Sequence, residues 1–295
     1  MHRFLLYNGE IRPTTERFLS PGQVGVLNGW GVFSTLRVID GVLFEYARHW
    51  ARMDRDARLL NVPMPAAAEL EDQLLQLVEA NRASNATLRV AILRNTGGVF
   101  DAPNLDRPYD TVAFTKDLAD WGASVRLGLV PHARHAANEF RGTKMLSWSF
   151  NLRWYESARA QGLDEVVLLN ERGEVAELTS ANLFAVFGNE IVTPPLESGC
   201  LPGITREVIL EVLEVPGYSV REETLTTSDL ERADELFITS STRDTLPVQS
   251  VETLNIRFVP PAGGPARKAV QEAFGRHLRE YAAKHKKASV LAGNT

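Results

Sequence analysis

Val175-Ala176-Glu177-Leu178-Thr179-Ser180-Ala181-Asn182-Leu183-Phe184 is the stretch on which the reading of this chain turns. The polar run Asn170-Glu171-Arg172-Gly173-Glu174 before it has the glycine and polarity of a hairpin loop, so Glu177 is expected on the strand leaving that loop. A strand glutamate taken alone points to water. Its company along the chain changes that. Thirty-three positions earlier stands Lys144, in Arg141-Gly142-Thr143-Lys144-Met145-Leu146-Ser147-Trp148. Twenty-four positions after Glu177 begins the turn Leu201-Pro202-Gly203-Ile204-Thr205-Arg206, and beyond it lies the hydroxyl run Thr239-Ser240-Ser241-Thr242. An amine, a carboxylate, a turn of phosphate size and a set of hydroxyls follow one another in order.

Outward from that stretch, strands and helices mix without regular βαβ alternation, which predicts an α+β fold. Val32 to Ile39 alternates with a period near two, and Asp40-Gly41 makes a hairpin turn into Val42-Leu43-Phe44. Trp50, Met53, Ala57 and Leu60 recur at helical spacing, closed by Asn61-Val62-Pro63, and Leu70, Leu74, Leu77 and Val78 mark a second helix. Leu88 to Leu93, Thr111 to Phe114, Val125 to Val130 and Glu165 to Leu169 read as strands. A helix is expected after Pro202-Gly203, through Arg206, Val208, Ile209 and Val212. Ala269, Val270, Ala273, Phe274, His277, Leu278 and Tyr281 form one apolar stripe of a last helix. Lys116 to Gly122 breaks both periodicities. The expected division is a small N-terminal α+β domain over 1–115, a linker over 116–123, a larger domain over 124–285, and a polar tail over 286–295.

A length of 295 residues suits two domains with substantial cores, and 44% apolar with 23% charged residues is an ordinary globular balance rather than a disordered one. The net charge of −5 supplies no electrostatic reason to expect nucleic acid or an anionic membrane as partner. The single Cys200 excludes an intramolecular disulfide framework and suits a reducing cytoplasm. Phe4-Leu5-Leu6-Tyr7 is too short for the apolar region of a signal peptide, and no apolar run approaches the roughly 20 residues that span a bilayer. His49, His132, His135 and His277 lack metal-ligand spacing and are expected to be structural or exposed. Gly97-Gly98 is not followed by the lysine of a P-loop.

The order of Lys144, Glu177, the Leu201–Arg206 turn and the hydroxyl run resembles the fold-type IV pyridoxal-phosphate enzymes, the family of branched-chain and D-amino-acid aminotransferases and aminodeoxychorismate lyase. The resemblance runs from about Tyr7 to about Leu278. It implies a two-domain architecture with pyridoxal 5'-phosphate in the interdomain cleft, and a homodimer. It implies that Lys144 bonds to the cofactor's aldehyde, for which the amine must lose its proton; a dry pocket lowers a lysine pKa from about 10.4. By the same resemblance Glu177 faces the pyridine nitrogen, Ser180 lies against the cofactor, and Leu201 packs on the ring face. Ile204 and Thr205 present amides to the phosphate at a helix start, where the dipole favours an anion. Ser241 aligns with a family threonine that bonds the phosphate. His49-Trp50-Ala51-Arg52 matches the family's His-x-x-Arg, pointing to Arg52 rather than Arg48 as the phosphate's arginine.

The reaction is less plainly written. Branched-chain aminotransferases carry Phe-Glu-Gly-Ile/Leu-Arg where this chain has Phe33-Ser34-Thr35-Leu36-Arg37, and a tyrosine where it has Ser149. Phe33 to Val38 is closer to aminodeoxychorismate lyase, yet that lyase has an arginine where this chain reads Gly97-Gly98-Val99-Phe100. The arginine-histidine pair of D-amino-acid aminotransferases is absent from the same loop. Arg89 aligns with a family arginine near the substrate, Thr35 is expected among the substrate-binding residues, and the Thr242 amide aligns with a carboxylate-binding group. The expectation is an aminotransferase moving an amino group between a branched-chain-like amino acid and a 2-oxo acid. The alternatives are a lyase releasing pyruvate from aminodeoxychorismate and a non-catalytic cofactor-binding protein.

Overall fold

The computed structural model describes residues 1–98, 106–257 and 262–286. Val99, Phe100 and the tail from residue 287 onward lie outside the described residues, so the readings made on them stay expectations.

The chain forms two sheets. The first holds β1 (Phe4–Tyr7), β2 (Glu10–Pro13), β3 (Gly31–Ile39), β4 (Val42–Leu43), β5 (Ala86–Arg94) and β6 (Tyr109–Lys116) in the order β2-β1-β6-β5-β3-β4, all pairs antiparallel. Asp40 and Gly41 both take positive φ in the β3–β4 turn, the conformation that a two-residue hairpin demands. Helix α1 (Val24–Asn28) precedes β3, and α2 (Tyr46–Leu59) and α3 (Ala67–Ala80) follow β4. Leu70, Leu74 and Leu77 of α3 and Met53 and Ala57 of α2 pack with Leu6, Leu36 and Val90 in the core of this half. The same face of α2 also buries His49, Arg52 and Asp56. Polar side chains at helical spacing on a core-facing surface are there for partners rather than for burial itself.

The second sheet holds β7 (Val125–Val130), β8 (Glu165–Leu169), β9 (Val175–Leu178), β10 (Asn182–Phe187), β11 (Glu190–Thr193), β12 (Ser219–Glu222), β13 (Glu235–Ser240) and β14 (Asp244–Val251). Its order is β12-β11-β10-β13-β14-β7-β8-β9, with β7 parallel to both β14 and β8. Helices α4 (Ser149–Ala160), α5 (Ile204–Glu211), α6 (Thr227–Arg232) and α7 (Pro265–His285) pack around it. The stripe of α7 buries Val270, Ala273, Phe274 and Leu278 as its spacing predicts, while His277 bonds Glu45 Oε1 at 2.8 Å. No helix among the described residues is long and apolar enough to cross a membrane.

Phe44, just past β4, joins the two halves. Its ring packs at 5.7 Å from Phe274 and 5.1 Å from Tyr281 of α7, in one cluster with Ile204 and Val208 of α5. Burying a phenylalanine contributes about 1.5–3 kcal/mol, here to the contact between halves.

Candidate active site

Lys144 sits on a segment that crosses from the second half to the first. Its carbonyl accepts the N–H of Phe33 at 3.1 Å, Leu146 N–H donates to Gly31 O at 2.9 Å, and Met145 bridges to Val32. Gly31 has no room for a side chain, because a Cβ there would stand 2.6 Å from Leu146 Cδ1 and 2.2 Å from Ile92 O. Lys144 N–H donates to Asp56 Oδ2 at 2.9 Å. The amine lies 4.8 Å from the centroid of the Phe33 ring and 5.9 Å from that of Trp148. Burial lowers its pKa to about 7, the Arg52 and Arg89 guanidiniums push the same way, and Glu177 and Asp56 oppose them.

The segment borders a cavity of about 650 Å³ between the sheets. Thr35, Arg52, Arg89, Lys144, Glu177, Ser180, Leu201, Ile204, Thr205, Ser241 and Thr242 all line it. Its volume is that of a cofactor-sized pocket.

At one end, β9 delivers Glu177, which is 8% exposed rather than turned to water. Its Oε1 accepts Arg134 Nε–H at 2.8 Å and its Oε2 accepts the Leu201 N–H at 3.1 Å. Asn182 on β10 donates to Leu201 O at 2.9 Å and stands so near Gly203 that a Cβ there would lie 2.0 Å from its Oδ1. Close approach to Asn182, not backbone strain, is why glycine occupies the turn. Gly203 then starts α5 with no side-chain cap, so the first-turn amides lack an intrahelical partner where Gly203, Ile204 and Thr205 line the cavity.

Arg52 reaches the same end from α2. Nη1 donates to Pro202 O at 3.1 Å and Nη2 to Ser34 Oγ at 2.8 Å, while buried Nε has no partner among the described residues. Burial brings its pKa down to about 10, and Asp56 and Glu207 restrain the fall. Arg48 is instead paired with Glu45, Glu207 and Glu211, so of these two arginines it is Arg52 that lines the cavity. His49 lies 2.7 Å from Ser34 Oγ through Nδ1 and is fully buried. Burial, then the charges of Arg52 and Lys144, hold its pKa well below the ordinary 6.5, so the ring is neutral at neutral pH. The structural reading of His49 stands; the exposed one does not.

At the other end, Arg89 lies 4.0 Å from the Phe33 centroid and has no hydrogen-bonding or ion-pair partner among the described residues. The surface ion pair that a strand arginine would form is absent, and burial lowers its pKa. Thr87, two residues earlier, buries a hydroxyl that also lacks a partner among the described residues.

Several contributors escaped the sequence reading. Arg243 lies 3.9 Å from the Trp121 ring centroid, donates to Ser180 O at 3.2 Å and Oγ at 2.9 Å, and is paired with buried Glu165 at 3.5 Å. Glu165 also accepts from Ser180 Oγ at 2.7 Å and from Thr179 Oγ1. Trp121 donates to Thr242 O at 3.1 Å, fixing the hydroxyl turn. Ser149 does not reach the cavity; Tyr155, on the same helix, lines it. Among the described residues no group of His, Cys, Asp and Glu could hold a metal ion.

The family model for amino-transferase class IV matches residues 31–251. The chain belongs to the class IV aminotransferase family. This aminotransferase is 30% identical over 273 residues to a putative branched-chain-amino-acid aminotransferase of Methanocaldococcus jannaschii, covering 90% of this chain and 93% of the relative. It is 28% identical to a D-alanine aminotransferase of Bacillus licheniformis, over 95% and 99% of the two chains. The solved structure of the branched-chain amino acid aminotransferase from Escherichia coli superposes with a TM-score of 0.84 at 25% identity, covering 94% of this chain and 95% of that one. The α+β architecture expected from the sequence is therefore that of fold-type IV, and class IV aminotransferases are pyridoxal-phosphate enzymes.

Proposed function

We propose that the cavity holds pyridoxal 5'-phosphate and that the aminotransferase moves an amino group between a branched-chain-like amino acid and a 2-oxo acid. One observation carries this reading: an amine whose pKa falls to about 7 shares a cavity with a buried carboxylate and an uncapped helix start. The residues present fit the group. Arg52 Nε and Thr239 Oγ1 are buried without partners among the described residues, and the Ile204 and Thr205 amides add further donors at a helix start that lacks a side-chain cap. A phosphate with several acceptor oxygens satisfies such a set.

When bound, the cofactor supplies an aldehyde for amines and a pyridine ring that draws electron density from the substrate's Cα–H bond. Lys144 Nζ, unprotonated in a large fraction near neutral pH, would bond to the aldehyde carbon and later carry the proton at the substrate's α-carbon. Glu177 would hold the proton on the pyridine nitrogen. Arg52, Ile204, Thr205 and Ser241 would bind the phosphate, and Ser180 and Leu201 would line the ring. Thr35, Arg89 and the Thr242 amide would face the substrate, with Arg89 offering its free guanidinium to an anionic group.

The functional unit of this reading is a cytoplasmic homodimer. Phe150 and Leu152, 73% and 50% exposed, border the cavity, and Leu27 is 69% exposed. A second copy covering these side chains would remove apolar surface from water.

Borohydride treatment of the loaded protein tests the site: a pyridoxyl adduct is expected on the peptide bearing Lys144 and absent from Lys144→Ala. A label on another lysine, or none, sinks the reading. Incubation with an amino acid alone tests the reaction. A transaminase leaves the cofactor in its amine form until an oxo acid is added, whereas a lyase given aminodeoxychorismate releases pyruvate and keeps turning over.

A further inference from the structure

Glu177 is not a free carboxylate. Arg134 Nε–H occupies one place on Oε1 and Leu201 N–H one place on Oε2. The Arg134 and Glu177 side chains are 18% and 11% exposed, so water and salt screen the pair weakly. Arg134 is held from several sides. Its own N–H and that of Ala133 both donate to Leu169 O, at 3.0 and 2.8 Å. Nη2 donates to Asn151 Oδ1 at 3.3 Å, and the guanidinium lies 5.6 Å from the Trp154 ring centroid.

We propose that Arg134 competes with the cofactor's pyridine nitrogen for the charge of Glu177, and so governs how tightly that nitrogen keeps its proton. The inference rests on the reading that Glu177 faces the ring. Each carboxylate oxygen accepts about two donors, and one place on each is already filled. A ring N–H reaching Glu177 therefore meets an anion partly compensated by a guanidinium. Leu201 N–H belongs to the backbone and remains in any Arg134 variant, so it keeps the carboxylate in place. Removing the guanidinium changes the charge balance more than the geometry. Other titratable groups facing Glu177 are Lys144, whose charged form it favours, and the Cys200 thiol, whose pKa burial chiefly pushes up to about 12 with a smaller push from Glu177. Arg134 acts through Glu177 and is thus a positioning residue rather than a catalytic one.

The test loads wild type, Arg134→Gln, Arg134→Lys and Glu177→Gln with pyridoxal phosphate labelled with ¹⁵N in the ring. Cofactor affinity is read from absorbance, and the nitrogen's chemical shift is followed across pH. Arg134→Gln is expected to move the signal toward the protonated limit, with any midpoint raised by on the order of one pH unit. Arg134→Lys, which keeps a cation, stays near wild type. Asn151→Asp gives Arg134 a second carboxylate, at the loss of the 2.6 Å bond from Asn151 Nδ2 to Thr179 O, and is expected to move the signal the same way as Arg134→Gln. This covers the case in which Arg134→Gln does not fold. A merely structural Arg134 would weaken cofactor binding without that movement. A signal unchanged from wild type, or moved toward the neutral limit, in loaded Arg134→Gln or Asn151→Asp overturns the proposal. If wild type binds no cofactor, or Glu177→Gln leaves the nitrogen unchanged, the reading of the site fails instead.

Discussion

Asp56 accepts the backbone N–H of Lys144 at 2.9 Å, so a buried side chain of α2 holds in place the segment that bears the amine. Asp56 is 1% exposed, and Arg55 shares its other oxygen. Asp56→Ala leaves a backbone donor without its partner, at a cost of about 1–3 kcal/mol. Urea denaturation is expected to show that loss together with reduced activity. An Asp56→Ala protein as stable as wild type would show that the contact anchors nothing.

Stability should carry the mark of Lys144 in its pH dependence. The folded amine titrates at about 7 against an ordinary 10.5. Between those values the unfolded chain binds a proton that the folded chain lacks, so this contribution to stability rises with pH across the window and is flat outside it. Apo Lys144→Met lacks the slope. Its advantage over the apo wild type is expected to be widest at pH 7 and below and to shrink toward pH 10.5. A gap that widens as pH rises would contradict the lowered pKa.

Gly203→Ala puts a methyl group against Asn182 Oδ1. Overpacking of this kind costs about 1–3 kcal/mol, and the α5 start would shift with it. The expected result is lower thermal stability and weaker cofactor retention. Because the clash is with one side chain, Asn182→Ser combined with Gly203→Ala is expected to lose less than the two single changes together. Strict additivity would place the strain elsewhere.

Arg89→Met removes a cation that stacks on Phe33 and has no acceptor among the described residues. A lost charge-assisted hydrogen bond of about 1.5–3 kcal/mol corresponds to a rise in KM of about 10- to 150-fold. The rise is expected for substrates carrying a second carboxylate, with branched-chain substrates less affected and kcat nearly unchanged. Equal effects on both substrate classes would remove Arg89 from substrate recognition.

The sequence spoke most clearly where one physical rule governed a segment. The period of two in β3, the Asp40-Gly41 turn and the leucines of α3 each reduce to local geometry and one apolar face. The order of Lys144, Glu177 and the Gly203 turn was equally legible, and all three line one cavity. Helix α4 was not foreseen. Of its residues only Ala158 is buried, while Phe150, Leu152 and Trp154 face the cavity, so no inward stripe marks it. Arg134, Glu165 and Arg243 escaped for another reason. Each finds its partner through tertiary pairing, 43 residues away for Arg134 with Glu177 and 78 for Arg243 with Glu165, and no spacing rule reaches so far. His49 carried a weak signal, sitting three residues before Arg52 on the buried face of α2.

The bridge between Met145 and Val32 ties the amine to a strand of the first sheet, while the acid at position 177 rides on the second. The two groups are thus mounted on opposite jaws. Polar contacts clamp the jaws together, Arg52 Nη1 to Pro202 O at 3.1 Å, Arg48 Nη1 to Glu211 Oε2 at 2.7 Å and His277 to Glu45 at 2.8 Å, so the span from nucleophile to acid is set by how the halves pack.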